Sequence, residues 1–312
     1  MASRQDRVWL LAAIALATLI TGCSLRPLAN NCRSQALPVN QHKVVFLHND
    51  GRSSDLTVWY PTVSDSYPRM LFFPGSRLPP ERYARLLSDL AAMGLVIVAP
   101  MHIDSETIDY TTRPQLAEIW ATRKRDGIAL LNPTVGTAEL PGGVRISEQP
   151  VIVAGHSFGA FTAQALVGAT AIGDSPLSHN YPIAAVVALS PPGPLPNFIA
   201  EDAWTQLNTP QLVTTGTADI SPGFSDDWTL HATSYRQAMA GDQWLWVGTD
   251  VDHYFGRLIG QLDRQQPPQL AQYQDLLLTI NGFLQHYTRP NTGRCARPLV
   301  VGSSPLATIS HR

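Results

Sequence analysis

From Val44 onward the chain alternates between short apolar runs and longer amphipathic stretches. A short apolar run bounded by turn residues reads as a strand buried on both faces, and apolar residues recurring every three or four positions read as a helix. This pattern predicts strands over Lys43–His48, Leu56–Tyr60, Arg69–Phe73, Leu95–Ala99, Val151–Ala154, Ala184–Leu189, Gln211–Thr215 and Gln243–Val247. It predicts helices over Pro80–Met93, Arg113–Leu131, Phe158–Ala169, Trp228–Met239 and Gln269–Tyr287. Strands that alternate with helices form an α/β protein: here a mostly parallel, eight-stranded sheet with helices on both faces. The Asn49-Asp50-Gly51 turn makes the first strand pair an antiparallel hairpin. Nothing in the pattern is large enough for a lid domain, and no internal repeat or second domain is visible. After Arg289 the chain is rich in Pro, Gly and Ser, and an irregular tail over 290–312 is expected.

Composition adds the compartment. The 312 residues carry a net charge of −2 with no basic run, which excludes nucleic acid as a partner. Arg4 and Arg7 precede an apolar run from Val8 to Ile20, the form of a secretory signal too short to span a membrane comfortably. Leu19-Ile20-Thr21-Gly22-Cys23 resembles a bacterial lipobox. That resemblance implies a signal over 1–22, acylation of Cys23 and a lipidated tether over 23–42, ahead of the α/β domain that the strand and helix pattern places over 43–289. Ser24 after the cysteine resembles the pattern sorted to the outer membrane. Cys32 and Cys295 remain after processing, and in an oxidising compartment they form a disulfide candidate, two free thiols being the alternative. No Cys or His spacing suggests a metal site.

The chemistry centres on Val151-Ile152-Val153-Ala154-Gly155-His156-Ser157-Phe158-Gly159. A buried strand runs into G-x-S-x-G and then into a helix of small residues, the form of a nucleophile elbow. The turn holds the serine oxygen out at a helix N-terminus, where free N–H groups favour developing negative charge. A serine hydroxyl needs a base within reach and a carboxylate to orient that base. Asp219 follows the strand ending at Thr215, and His253 follows the strand ending at Val247. Both lie at carboxyl ends of strands, where open α/β sheets bind ligands. Of the other histidines, His156 adjoins the serine and should point away, while His179 and His231 flank helices. Asp226 and Asp227 read as a helix cap, and Asp252 diverges from its neighbour His253. Backbone N–H groups of Phe158 and of Ser76, in the turn Phe73-Pro74-Gly75-Ser76, are the expected oxyanion donors.

These segments together resemble the successive blocks of the α/β-hydrolase superfamily over roughly Val44 to Tyr287. They are most similar to its lidless esterases: platelet-activating-factor acetylhydrolase-like, chlorophyllase-like, dienelactone hydrolase-like and polyester hydrolase-like enzymes. Dienelactone hydrolases proper use a cysteine where this chain has Ser157, and Pro74-Gly75 stands where many esterases have His-Gly. The resemblance implies an α/β-hydrolase fold and a serine hydrolase that cleaves small-molecule or lipid-like carboxylic esters without metal or cofactor. The same three residues serve amide cleavage, and the fold also serves binding proteins.

Overall fold

The computed structural model describes residues 36–133, 140–221, 225–288 and 297–312. Cys23, Cys32 and Cys295, with the signal, lie outside the described residues. β1 (Val39–Leu47) and β2 (Ser53–Pro61) form the predicted hairpin, closed by Gly51 at φ +84°. β3 (Ser66–Tyr67) is a short strand outside the main sheet. β4 (Arg69–Phe73) leads through a 3-10 turn over Pro80–Tyr83 into α1 (Ala84–Ala91). β5 (Val96–Pro100) and α2 (Leu116–Leu131) follow. β6 (Arg145–Ile146) pairs parallel with β3. β7 (Val151–His156) runs into α3 (Phe158–Ala165), and β8 (Ile183–Leu189) and β9 (Gln211–Gly216) come next. A 3-10 turn over Trp228–Ala232 enters α4 (Thr233–Gln237), followed by β10 (Gln243–Gly248) and α5 (Leu270–Tyr287). The chain closes with β11 (Gly302–Ser303) and β12 (Ala307–His311).

Among the described residues the main sheet has ten strands in the order β1-β2-β5-β4-β7-β8-β9-β10-β12-β11. The block from β5 to β10 is parallel, so its carboxyl ends share one rim with β7 near the middle. Period-two alternation splits the core between the two faces. Met70, Phe72, Ile97 and Ile152 pack with Leu86 and Leu90 of α1 and with Ile280 and Phe283 of α5. Leu71, Phe73, Val98 and Val153 pack on the other face with Leu130 of α2 and Ala160 and Ala163 of α3. Among the described residues no segment forms a separate lid, and no helix is long and apolar enough to cross a membrane.

Three expectations are corrected. The sheet has ten strands rather than eight, because the C-terminal segment is not irregular throughout. β12 pairs antiparallel with β10, with Ala307 and Ile309 buried and the His311 ring stacked 4.1 Å from that of Trp244. Without it the backbone edge of β10 would be unpaired, and an open edge attracts a partner. The alternation in Ala307-Thr308-Ile309-Ser310-His311 carries the period of a strand, but the Pro, Gly and Ser ahead of it mask it. At the other end, β1 starts at Val39 rather than Lys43, and Leu37 is buried with its N–H on Ala92 O at 3.0 Å. The domain therefore includes the segment expected to end the tether. An edge strand pairs through its backbone alone, so exposed Asn40, Gln41 and His42 left no apolar signal.

Replacing Ile309 by Ala should lower unfolding stability by about 2 kcal/mol through the cavity left against β10. Urea unfolding of both proteins measures this; an unchanged midpoint would show that the C-terminal strand does not stabilise the sheet.

Candidate active site

Ser157 joins β7 to α3 with φ 53° and ψ −125°, outside the regions that non-glycine residues ordinarily occupy. Backbone bonds hold it there: its N–H donates to Leu189 O at 2.9 Å, and its carbonyl accepts from Ala160 N–H at 2.9 Å. The flanking glycines are required by contact. A Cβ on Gly155 would lie 2.3 Å from Gly159 O, and one on Gly159 would lie 1.9 Å from Phe73 O. Strand, turn and helix thus pack backbone to backbone, and the serine is left half-buried at the rim.

Asp219 is fully buried in the loop after β9. Its Oδ1 accepts from His253 Nδ1 at 2.7 Å and its Oδ2 from the Thr215 hydroxyl at 2.8 Å, with the Ser190 hydroxyl as a further donor. Burial alone would raise this carboxyl. The facing His253, its hydrogen bond, His231 and Ser190 outweigh burial and hold it well below the usual range. A carboxylate accepts only, so the 2.7 Å bond puts the His253 proton on Nδ1 and leaves Nε2 as a lone pair. Asp252, adjacent in sequence, turns away and caps its own loop by accepting from Tyr254 N–H at 3.0 Å and Gly256 N–H at 2.8 Å. Asp227 caps the turn of Trp228–Ala232, accepting from Thr229 N–H at 2.9 Å.

His156 ties the elbow to the loop of His253. Gly75 N–H donates to Tyr83 Oη at 3.1 Å, and Tyr83 Oη lies 2.9 Å from His156 Nδ1. His156 Nε2 lies 2.8 Å from the carbonyl of His253 and must donate to it, so Nδ1 accepts from the tyrosine. Complete burial, and after it the neighbouring His253, push His156 down to about 3, so the ring is neutral and structural. It points away from the serine, and its ring sits 4.6 Å from that of His253. The elbow and the base are therefore neighbours. No hydrogen bond between Ser157 Oγ and His253 is present among the described residues; such bonds often tighten only around substrate.

The turn after β4 is held from the opposite side. Arg123 of α2 is fully buried and donates to Pro74 O at 2.9 Å and Gly75 O at 3.2 Å. It also pairs with buried Asp104, both carboxylate oxygens lying 2.9 Å from Nη2. Burial raises the Asp104 carboxyl, but the Arg123 charge outweighs it and holds the group below its ordinary value. A trans peptide points its N–H opposite its C=O. Gripping Gly75 O therefore turns the N–H of Ser76 away from Arg123. Gly75 N–H is taken by Tyr83 and Arg77 N–H by Asp104 Oδ2 at 2.9 Å. Among the described residues the N–H groups of Ser76 and Phe158 have no partner.

A family model described as chlorophyllase matches residues 33–194, just over half the chain, and takes in both the turn after β4 and the elbow. The chain belongs to the chlorophyllase family. It is a carboxylic ester hydrolase with the α/β-hydrolase fold. A ferulic acid esterase from Streptomyces cinnamoneus superposes with a TM-score of 0.58 at 16% identity, over 89% of this chain and 97% of that one. One of two fungal esterases from Rhizomucor miehei superposes with a TM-score of 0.52 at 16% identity, over 85% of this chain and 88% of that one. Comparison with curated proteins finds no match.

In this chlorophyllase-family chain, Ser157, Asp219 and His253 come to one rim, with Phe158 and Ser76 beside the serine. Sequence reasoning missed Arg123, Asp104, Tyr83 and the placement of His231. Arg123 lies in the helix predicted over Arg113–Leu131, beside Lys124 and Arg125, and nothing local singles it out. Of the aromatic residues, Trp204 is core, with its indole N–H on Gln164 Oε1 at 2.9 Å. Phe158 and Phe198 are half-buried beside the nucleophile, ring centroids 5.8 Å apart. Among the described residues, Asp219, His231 and His253 form the group that could hold a metal ion, their ligand atoms lying within 4.8 Å of one another. A shared ion would have to break the 2.7 Å bond between His253 and Asp219.

Replacing Arg123 by Met would leave the Asp104 charge buried without its partner. A loss of about 3–5 kcal/mol in urea unfolding is expected. A change below about 1 kcal/mol would mean that the pair is dispensable for holding the turn.

Proposed function

We propose that the protein cleaves carboxylic esters through a Ser157–His253–Asp219 triad and an acyl-enzyme. The observation that carries this reading is the 2.7 Å bond from His253 Nδ1 to a fully buried Asp219, which leaves Nε2 as the base on the rim of the Ser157 elbow. His253 Nε2 takes the hydroxyl proton as Ser157 Oγ attacks the ester carbonyl. Asp219 keeps the ring in this tautomer and stabilises the imidazolium. The carbonyl oxygen, now negative, receives the N–H groups of Phe158 and Ser76, each donor contributing about 3 kcal/mol in the transition state. His253 then returns the proton to the departing alcohol. Water, deprotonated by the same nitrogen, attacks the acyl-enzyme and frees Ser157. The half-buried Phe158 and Phe198 supply an apolar wall for a small-molecule or lipid-like ester.

Hydrolysis of p-nitrophenyl acetate, butyrate and octanoate tests the reading. Ser157→Ala should lower kcat/KM by at least about a thousandfold. Equal rates in the two proteins would remove Ser157 as the nucleophile.

We also infer that Cys23 is acylated and anchors the enzyme to a membrane, the outer membrane by the identity of Ser24. Labelling cells with a palmitate analogue should mark the natural chain and not Cys23→Ala, which should move to the soluble fraction. A labelled Cys23→Ala chain, or a natural chain already soluble, would overturn the anchor.

A further inference from the structure

Asp219 faces a second histidine. His231 lies on the 3-10 turn of Trp228–Ala232 and is buried. Its Nδ1 is 2.8 Å from the carbonyl of Pro191, and its Nε2 is 3.3 Å from Asp219 Oδ1, the oxygen that also accepts from His253. The backbone carbonyl of Ser190 faces the same ring. Nε2 has no hydrogen-bond partner, because the 3.3 Å approach to the carboxylate is too bent to be one.

Counting protons shows what this pocket is built for. Both neighbours of the ring are acceptors, a carbonyl at Nδ1 and a carboxylate at Nε2. One proton satisfies one side and aims a lone pair at the acceptor on the other. The shorter contact, at 2.8 Å, requires Nδ1–H, so the neutral ring turns its bare Nε2 toward Asp219. Only the imidazolium, with two N–H donors, satisfies both sides at once.

We propose that His231 is a positioning residue that acts through Asp219: its protonation places a second donor on Oδ1, draws the carboxylate off His253 and switches hydrolysis off in acid. With a proton on Nε2, a small tilt of the ring makes the 3.3 Å contact a charge-assisted bond. His253 would then have to accept the Ser157 proton beside a fixed positive charge whose ring centroid is 5.4 Å away. This inference rests on the reading of Asp219 and His253 as the orienting acid and the base. The ionisable groups around His231 are Asp219 after β9, His253 after β10, His156 at the end of β7 and exposed Asp227 at the cap of its own turn. Burial, first, and His253 oppose the charge, while Asp219 favours it, so the folded ring is held below its ordinary 6.5. The proton therefore binds on the acid side of 6.5, and the active form is the neutral ring above it.

The test is the pH profile of kcat/KM for p-nitrophenyl acetate with the full chain and with His231→Asn and His231→Phe. If two protonations switch the site off, the natural enzyme should lose activity more steeply than about tenfold per pH unit on its acid limb. Both variants should fall by only about tenfold per unit and keep activity to lower pH. Coincident acid limbs in the three proteins would overturn the proposal. Nitrogen NMR of histidine-labelled natural enzyme gives a readout independent of the variants' folding and of turnover. His231 should carry its proton on Nδ1 at neutral pH and become doubly protonated in acid, with the His253 Nδ1–H resonance shifting in step. A His231 ring that stays neutral through the acid limb, or that titrates without moving the His253 signal, overturns the proposal. A natural enzyme inactive on these esters at every pH would instead overturn the esterase reading, and the NMR titration would then decide the link between His231 and Asp219 alone.

Discussion

The backbone contact between Gly159 and the carbonyl of Phe73 is the constraint around which the site is assembled. It presses the first turn of α3 onto the end of β4, while Gly155 meets Gly159 from the end of β7. Any side chain at either position would force strand and helix apart, by more than neighbouring rotamers can absorb because the atoms in the way are backbone. From that packing follow the strained dihedrals of Ser157, the free N–H of Phe158 at the helix start and the nearness of the turn after β4. The strain is of the order of 1–3 kcal/mol and is held by bonds to Leu189 and Ala160.

Buried polar groups then hold the rest in register. Arg123 and Tyr83 grip the Pro74-Gly75-Ser76 turn from two sides, taking its carbonyls and one amide and leaving the Ser76 amide available. His156 carries that order on to the carbonyl of His253. Arg123, Tyr83 and His156 are fully buried, so each unmade bond of theirs would leave a desolvated donor or acceptor. The same logic keeps Asp219 charged in the interior: its two oxygens collect hydroxyl and imidazole donors from the ends of three strands and the loops that follow them. The acceptors around His231 leave its Nε2 without a hydrogen-bond partner when the ring carries a single proton.

The catalytic rim depends equally on the parallel block of the sheet. Because β4, β7, β8, β9 and β10 run the same way, the turn of Ser76, the elbow, Ser190, Asp219 and His253 all emerge at one end. Closing the far edge with an antiparallel β12 covers Trp244 and Trp246 of β10, the strand that delivers the loop of His253.

The sequence by itself determined the α/β layout, the elbow and the candidates Ser157, Asp219 and His253, because each is written locally. Apolar runs mark strands buried on both faces, glycines two residues either side of a serine mark the sharp turn, and strand ends mark the rim. Local pattern could not place β12, whose alternation is masked by the Pro, Gly and Ser ahead of it, or the start of β1, since an edge strand pairs through backbone groups that every residue carries. Nor could it separate Arg123 from its neighbours Lys124 and Arg125 on the same helix, or His231 from His179, which also flanks a helix. Those roles depend on which acceptors lie across a fold from residues distant in sequence: Asp104 and the carbonyls of Pro74 and Gly75 for Arg123, Pro191 and Asp219 for His231. Only tertiary structure decided them, because a buried hydrogen-bonding group is defined by the partner that packing brings to it.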